Sequence, residues 1–255
     1  MSTVPPVAAP RRIPLSTRPI EAGSAIGWSD TAGPVRVDFL GRGGGAPRPP
    51  LAEAVRPLAA PGRSPSWLTQ VHGCAVVEAR AGHSGSGDAL VSGRGDLALV
   101  VVTADCVPVL LAAGERIAAV HAGWRGIVAG VVPAAITRLA AGAAPVTAWV
   151  GPAIGVCCYE VGEEVAGQVA LAAGTDGCVH ATPGARPHLD LRSAVEAQLV
   201  AVGVAEVRHL DLCTRCHPDW LWSYRREGPR AGRNLAWIAR EPVARQAAAV
   251  RGPRG

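Results

Sequence analysis

Three short apolar runs follow one another near the middle of the chain: LALVVV at 97–102, VPVLLA at 107–112 and RIAAVH at 116–121. Each run is rich in Val, Leu and Ala, and turn residues separate it from the next. Continuous apolar runs of this length are typical of buried strands. The pattern therefore predicts three buried strands, and the last two are close enough to form a hairpin.

Longer segments carry the apolar spacing of helices. Residues 123–142 have this spacing, and Pro133 should kink or split the helix. Two more amphipathic segments end at Gly174 and Gly203, which are typical helix stops. The segment TAWVGPAIG at 147–155 reads as a strand followed by a loop. This mixture of strands and helices predicts a single α/β or α+β domain.

Composition divides the chain into three parts. Residues 1–30 are rich in Pro, Ala, Ser and Arg and are predicted to be a flexible N-terminal arm, and residues 241–255 are predicted to be a flexible C-terminal tail. The domain is expected over residues 31–240. Inside it, residues 43–66 hold many Gly and Pro, with one short helix predicted at 51–58.

Composition also narrows the possible partners. The 255 residues are 49% hydrophobic, which is enough to bury a core. The net charge is +5 and all 25 basic residues are Arg, but they are scattered, whereas nucleic-acid binders cluster their basic residues.

The N-terminus has no apolar signal region and the apolar runs are too short to span a membrane, which predicts a cytoplasmic protein. The seven cysteines should then be thiols or metal ligands.

Three residues able to bind a metal each stand beside a predicted strand: His72 in TQVHG, Cys106 in TADCVPVLL and His121 in AAVHAGWRG. Two His and one Cys are typical of a catalytic zinc, which keeps its fourth position for water or substrate. Each residue alone is more simply interpreted as a buried thiol or a hydrogen-bonded imidazole. Taken together, the three make the metal interpretation about as strong as the structural one.

The predicted hairpin bears on this ligand set. A tight turn centred on Ala113 and Gly114 would place Cys106 directly opposite His121, with Cβ atoms about 4.5–5.5 Å apart. Zinc brings two of its ligand atoms to roughly 3.5 Å of each other, and the side chains can close that difference. A turn one residue later would instead oppose Cys106 to Gly123.

A series of longer blocks resembles one known family. The blocks are WLTQVHG, DALVS, TADCVPVLL, AAVHAGWRGIVAGV, AWVGPAIGVCCYEVGEEV, LDLRSAVEAQL, LCT and SYRREG, in this order. They resemble the laccase-domain proteins, also called multicopper polyphenol oxidase-like or peptidoglycan editing factor proteins. The resemblance implies a domain of mixed β-sheets flanked by helices. It also implies that His72, Cys106 and His121 bind zinc.

The resemblance implies an activity as well, because several members are purine nucleoside phosphorylases with adenosine deaminase activity. The expected reaction is phosphorolysis of adenosine, inosine or methylthioadenosine to the free base and ribose 1-phosphate. Zinc is the expected cofactor, rather than copper, and the expected partners are a purine nucleoside and phosphate, bound by a monomer or homodimer. The block FLGRGGG keeps the family's early Arg as Arg42, whereas residues 43–66 and the end of SYRREGPRAGR depart from the family pattern.

Four arginines are candidates for contact with phosphate or ribose: Arg42, Arg125, Arg225 and Arg226. Arg125 stands at a predicted helix start, where backbone N–H groups favour anions. Together with Cys106, Arg42 and Arg125 are the candidate catalytic residues. Arg225 and its neighbour Arg226 are equally well interpreted as structural or solvated.

Two polar residues flank the predicted ligands. Gln70 is a candidate for substrate binding or for orienting a ligand, and Asp105 for orienting a ligand or for a turn or cap. The C-x-x-C-H pattern at 213–217 matches haem attachment, but nothing indicates the exported setting that haem attachment would need. The pair Cys157 and Cys158 is interpreted as packing.

Two other functions stay open at this point. A copper laccase uses about ten His, more than the seven in this chain. A non-catalytic or proofreading factor in peptidoglycan synthesis is compatible with the family resemblance. The chain also lacks the H-x-E and P-C-x-x-C signature of zinc nucleobase deaminases, so any deamination would use a different constellation.

Overall fold

The computed structural model describes residues 10–22, 25–43, 62–140 and 144–240. Within these ranges, two seven-stranded sheets and a layer of helices make up the fold. The predicted tail at 241–255 and the predicted short helix at 51–58 lie outside the described residues.

The first sheet is mixed, with antiparallel strands at its centre and parallel pairs towards its edges. Its order is β1 (Arg11–Pro14), β15 (Glu206–His209), β12 (Val146–Val150), β10 (Val107–Ala113), β11 (Arg116–Ala122), β8 (Ala89–Ser92) and β6 (Val76–Glu78).

The second sheet is antiparallel over its first five strands and parallel over its last three. Its order is β2 (Ile20–Ala22), β3 (Ala25–Ala32), β4 (Val35–Gly43), β16 (Asn234–Arg240), β9 (Leu97–Thr103), β5 (Ser64–Thr69) and β7 (Gly82–Ser86). Two short strands, β13 (Val179–His180) and β14 (His188–Leu189), form a separate pair.

Five α-helices accompany the sheets in the described residues: α1 (Trp124–Val128), α2 (Val131–Leu139), α3 (Glu163–Ala173), α4 (Leu191–Ala201) and α5 (Tyr224–Glu227). The helix predicted from 123 onwards is split, as expected, but the break lies at Gly130, whose φ of 78° is left-handed. Pro133 falls in the first turn of α2, where a missing N–H costs no hydrogen bond. Among these described helices, none is both long and apolar enough to cross a membrane.

The first sheet lies between the helices and the second sheet. Along β10, Val109 and Leu111 pack in the cluster that contains the helices, whereas Leu110 and Ala112 pack against the second sheet. Both faces of the strand are therefore buried, which explains why its sequence is continuously apolar rather than alternating. The prediction of buried strands in a mixed α/β fold is confirmed.

The flexible arm predicted for residues 1–30 is wrong in the part that is described. The strand β1 pairs in parallel with β15, and β3 pairs with β4. Trp28 on β3 is only 3% exposed. The composition misled because β1 is an edge strand, where proline and charged residues are tolerated since one side of the strand has no pairing partner.

Candidate metal centre and active site

His72 lies in the loop after β5, and its backbone has a left-handed φ of 60°. Residues other than glycine rarely adopt this conformation. Here the backbone N–H groups of Val71, His72 and Gly73 donate to the carboxylate of Asp88 at 3.3, 2.9 and 2.7 Å. The carboxylate thereby fixes the loop that carries the His72 ring.

Asp88 also fixes the second histidine. It directly precedes β8, and the antiparallel register of β8 with β11 places it opposite His121. Its Oδ1 lies 2.9 Å from His121 Nδ1. Because a carboxylate can only accept, Nδ1 carries a hydrogen, and Nε2 is the ring nitrogen that a metal would bind.

The hairpin of β10 and β11 has the later of the two registers considered from the sequence. Val107 pairs with Ala122 and Ala113 with Arg116, so the turn is centred on Gly114 and Glu115. Gly114 has a left-handed φ of 54°, which the first position of such a turn requires and which alanine would adopt only with strain. Of the two turn positions considered, the one centred on Ala113 and Gly114 is therefore wrong.

In the observed register Pro108, not Cys106, is opposite His121. One residue beyond the paired strand, Cys106 lies beside Gly123, where an added Cβ would be 2.9 Å from Cys106 Sγ. Cys106 and His121 are thus diagonal neighbours, which are about 7–8 Å apart between backbones and still within reach of long side chains.

The three predicted ligands come together despite this shift. The ligand atoms of His72, Cys106 and His121 lie within 4.8 Å of one another. His72 Nε2 is 4.0 Å from Cys106 Sγ, and the two imidazole rings meet edge to face with centroids 4.8 Å apart. Two imidazole nitrogens and a thiol sulfur are a donor set that suits zinc and similar ions.

The electrostatics of the site favour the thiolate that a metal binds. Burial raises the pKa of the Cys106 thiol, but hydrogen bonds and charge from His121 and His72 outweigh burial and bring the pKa down to about 7. Burial lowers the pKa of His121, but hydrogen bonds with Asp88 and Cys106 raise it to about 9. The site therefore makes the thiolate form of Cys106 more accessible at neutral pH than it is for an ordinary cysteine.

The ligand group opens into a cavity of about 650 Å³. Besides the three ligands, its lining combines three aromatic residues with three arginines: Trp124, Tyr159, Tyr224, Arg125, Arg225 and Arg233. Burial, followed by the nearby Cys106 thiolate, raises the pKa of Tyr159 to about 12. Its phenol therefore carries a proton at neutral pH and is able to donate a hydrogen bond in the cavity.

The candidate arginines do not all lie in the cavity. Arg125 and Arg225 line it, and their guanidinium groups lie over Trp124 and Tyr159, at 4.4 and 5.0 Å from the ring centroids. Helix α1 has only five residues, which is too short a helix for its N-terminus to form an anion site. The positive charge of the cavity therefore comes from the arginine side chains.

Arg42 lies outside the lining of this cavity. Its guanidinium is 3.7 Å from the ring centroid of Trp222, donates to the Leu221 carbonyl at 3.3 Å and forms an ion pair with Glu227. These contacts support the packing of α5. Arg226 likewise binds backbone carbonyls, which supports its structural interpretation.

The two polar flanking residues hold backbone in place. The Gln70 amide lines the cavity, but it donates to the Val102 carbonyl at 2.8 Å and accepts from the Val102 N–H at 2.9 Å. Asp105, with φ 92°, accepts from the Thr214 hydroxyl at 2.5 Å and from the Arg225 N–H at 2.6 Å. Asp105 therefore joins the Cys106 loop to the loop after β15 and to α5, which carries Arg225.

Sequence reasoning missed several residues of the site, among them Asp88 and Tyr159. Asp88 opens the block DALVS, and only its position opposite His121 reveals that it orients both histidines. Tyr159 follows the two cysteines of CCYEV, and the loop that places it in the cavity has no periodic pattern to predict its path.

Known proteins are similar to this chain over most of its length. A family model described as multi-copper polyphenol oxidoreductase laccase matches residues 51–241. A purine nucleoside phosphorylase of Streptomyces coelicolor is 40% identical over 232 residues, covering 79% of this chain and 94% of the relative. Another, from Pseudomonas aeruginosa, is 39% identical over 181 residues, covering 68% of this chain and 74% of the relative.

Solved structures share the fold. The crystal structure of a Neisseria meningitidis protein matches with a TM-score of 0.75 and 28% identity, over 86% of this chain and 99% of that chain. The structure of YlmD from Geobacillus stearothermophilus matches with a TM-score of 0.74 at 24% identity, over 87% of this chain and 98% of that chain. The chain therefore belongs to the multi-copper polyphenol oxidoreductase laccase family, the laccase-domain family that its sequence blocks resemble.

Proposed function

We propose that this chain is a zinc-dependent purine nucleoside phosphorylase that converts adenosine, inosine or methylthioadenosine and phosphate into the free base and a ribose 1-phosphate. The observation that carries the proposal is the opening of the His72, Cys106 and His121 group into a cavity lined by aromatic rings and arginines. The names of the curated relatives from Streptomyces coelicolor and Pseudomonas aeruginosa support it.

The donor set fits a single zinc ion. Three protein ligands leave one position for substrate or water, and the Asp88 hydrogen bond directs His121 Nε2 towards the metal. When bound, zinc supplies a Lewis acid beside the cavity. Within the described residues, which include all seven histidines, this is the only histidine-containing group that could hold a metal, whereas a laccase needs several such copper sites.

The cavity side chains suit the two substrates. Trp124 and Tyr224 offer flat apolar faces to a purine, and Arg125 and Arg225 offer guanidinium groups to phosphate. In the reaction a phosphate oxygen bonds to C1′ of the ribose while the bond from C1′ to N9 of the base breaks, and the base leaves with the proton that the hydrogen phosphate gives up. We assign to the protonated Tyr159 hydroxyl the hydrogen bond that stabilises the departing base.

Adenosine deamination is proposed as a second activity of the same cavity, in which water replaces the 6-amino group and ammonia leaves. It differs from phosphorolysis because it needs no phosphate. The substrates are small molecules, and nucleic acid and membrane have no role in the proposal. A cytoplasmic location and a monomeric or homodimeric state stay predictions.

The test is turnover of adenosine and inosine by zinc-loaded protein, with and without phosphate, followed by chromatography. Free base and ribose 1-phosphate should form only with phosphate, and inosine formed from adenosine without phosphate would report deamination. Loss of both activities on chelation, and their recovery when zinc is added back, would support the requirement for bound zinc. A zinc-loaded protein that releases no base from either nucleoside contradicts the proposal and favours the peptidoglycan alternative.

A further inference from the structure

A second cluster of metal-binding side chains lies outside the ligand group of the cavity. It consists of Cys157 and Cys158, in the loop after β12, and Cys213 and Cys216, in the loop after β15. All four sulfur atoms lie within 4.8 Å of one another, and all four residues are free thiols. Two loops far apart in sequence thus bring four thiols to one point.

We infer that these four cysteines, called here the four-cysteine site, bind one structural zinc ion as a tetrathiolate. A tetrahedral zinc with bonds of about 2.3 Å holds its sulfur ligands about 3.8 Å apart. Cys216 Sγ is 3.4 Å from Cys158 Sγ and 3.6 Å from Cys157 Sγ. Four sulfurs and no open position characterise a structural rather than a catalytic site.

The surroundings of the sulfurs match this assignment. The spacing of Cys213 and Cys216 is the C-x-x-C spacing of zinc-binding turns. The Gly155 N–H donates to Cys213 Sγ at 3.2 Å, a bond that stabilises a thiolate ligand. A Cβ on Gly155 would lie 3.3 Å from Cys157 Sγ, so glycine lets the two loops approach.

A disulfide explains the same geometry less well. It joins two sulfurs at about 2.0 Å, whereas Cys216 is nearly equidistant from two partners. The C-x-x-C-H pattern does not point to haem either, because His217 Nδ1 lies 2.9 Å from the Cys213 carbonyl and its ring stacks on Trp220. The geometry is that of four ligands around one centre.

The four-cysteine site is connected to the cavity through residues adjacent to its cysteines. Tyr159, in the cavity wall, follows Cys158 directly. Thr214, which follows Cys213, donates to Asp105, and Asp105 precedes the cavity ligand Cys106. Zinc at the four-cysteine site would therefore clamp together two loops that shape the cavity. The inference stands apart from the proposed function, because it concerns different ligands.

The decisive experiment compares the zinc content of purified parent, Cys216→Ser and Cys106→Ser proteins, with X-ray absorption at the zinc edge. The parent should hold two zinc ions per chain, one with only sulfur neighbours and one with nitrogen and sulfur. Cys216→Ser should lose the all-sulfur signal, and Cys106→Ser should keep it. Because the two variants report on different sites, failure of the four-cysteine site is distinguishable from failure of the nucleoside proposal.

Thiol labelling tests the same inference in the parent protein, so it does not depend on whether a cysteine variant folds. Cys157 and Cys216 are exposed, as is Cys74, which belongs to neither cluster. A thiol reagent should modify Cys74 at once and the two cluster cysteines only after chelation. Immediate labelling of all three, a disulfide within the cluster, iron in place of zinc, or a zinc content that Cys216→Ser leaves unchanged would overturn the inference.

Discussion

Asp88 and His121 face each other across β8 and β11, and the Asp88 carboxylate lies 2.9 Å from His121 Nδ1. Burial raises the pKa of Asp88, but hydrogen bonds from the His121 ring and from two backbone N–H groups outweigh burial and lower it. The carboxylate is thus ionised and shared between the two histidine ligands. The positions of both histidine ligands therefore depend on this one buried carboxylate.

Replacement of Asp88 tests that dependence. In Asp88→Asn one carboxylate oxygen becomes an NH₂ group, which cannot accept from the backbone N–H groups of the His72 loop. We expect zinc affinity at the cavity site to fall about 10–100-fold, measured by competition with a chelator. Asp96→Asn is the matched control, because Asp96 is 58% exposed and paired with Arg94. Equal zinc affinity in the two variants would remove Asp88 from the site.

Gly123 tests the register of the hairpin. An added Cβ would lie 2.9 Å from Cys106 Sγ and 3.1 Å from His72 Cδ2, so Gly123→Ala must push both ligands aside. We expect the substitution to cost about 1–3 kcal/mol, as a lower free energy of unfolding, as weaker zinc binding, or as both. Thermal unfolding with and without zinc measures it.

Gly167→Ala is the control for this substitution. Gly167 lies in α3, and an added Cβ there has no neighbour within 4 Å. Alanine should stabilise the helix or leave it unchanged. If Gly123→Ala behaves like Gly167→Ala, the observed approach of Cys106 to residue 123 is wrong.

Much of the core was predictable from sequence. The strands β9, β10 and β11 are buried on both faces. Because both faces must be apolar, their sequences are continuous apolar runs that can be recognised without the structure. Cys106 and His121 could be identified because each stands at such a strand, whereas His72 follows β5, in which only alternate residues are buried. The register could not be fixed in advance, because both positions of the turn place Gly114 at its centre and only the backbone conformation separates them.

Other features had no local signal. Asp88 acts through a partner 33 residues away, and the four-cysteine site joins residues about 58 apart, so neither follows from periodicity. The strand β1 was misjudged because edge pairing with β15 does not demand an apolar sequence. Long-range pairing is therefore what the sequence alone left open.

Arg125 is the arginine we expect to bind phosphate. Arg125 is an exposed residue of the cavity lining, and hydrogen bonds to a charged group contribute about 1.5–3 kcal/mol. Arg125→Ala should therefore raise the KM for phosphate about tenfold to a hundredfold and leave zinc content unchanged. Arg138→Ala, at the exposed end of α2, is the control. Phosphate kinetics that match the control would place the anion elsewhere.

Arg42 should behave differently, because its contacts are with Trp222, Leu221 and Glu227 rather than with the cavity. Arg42→Ala should lower the free energy of unfolding by about 1–2 kcal/mol, since Glu227 then keeps only Arg226 as a partner. Chemical denaturation measures it. A variant as stable as the parent but with reduced turnover would return Arg42 to the catalytic residues.

The most direct measurement is zinc content together with inosine phosphorolysis in Cys106→Ser, with Cys74→Ser as the matched control. Serine is nearly the size of cysteine but is a poor zinc ligand at neutral pH, and the large core does not depend on this metal. We predict that Cys106→Ser stays folded, loses the zinc of the cavity and releases no base, whereas Cys74→Ser matches the parent. A folded Cys106→Ser protein that keeps this zinc and its turnover would contradict the assignment of the metal centre.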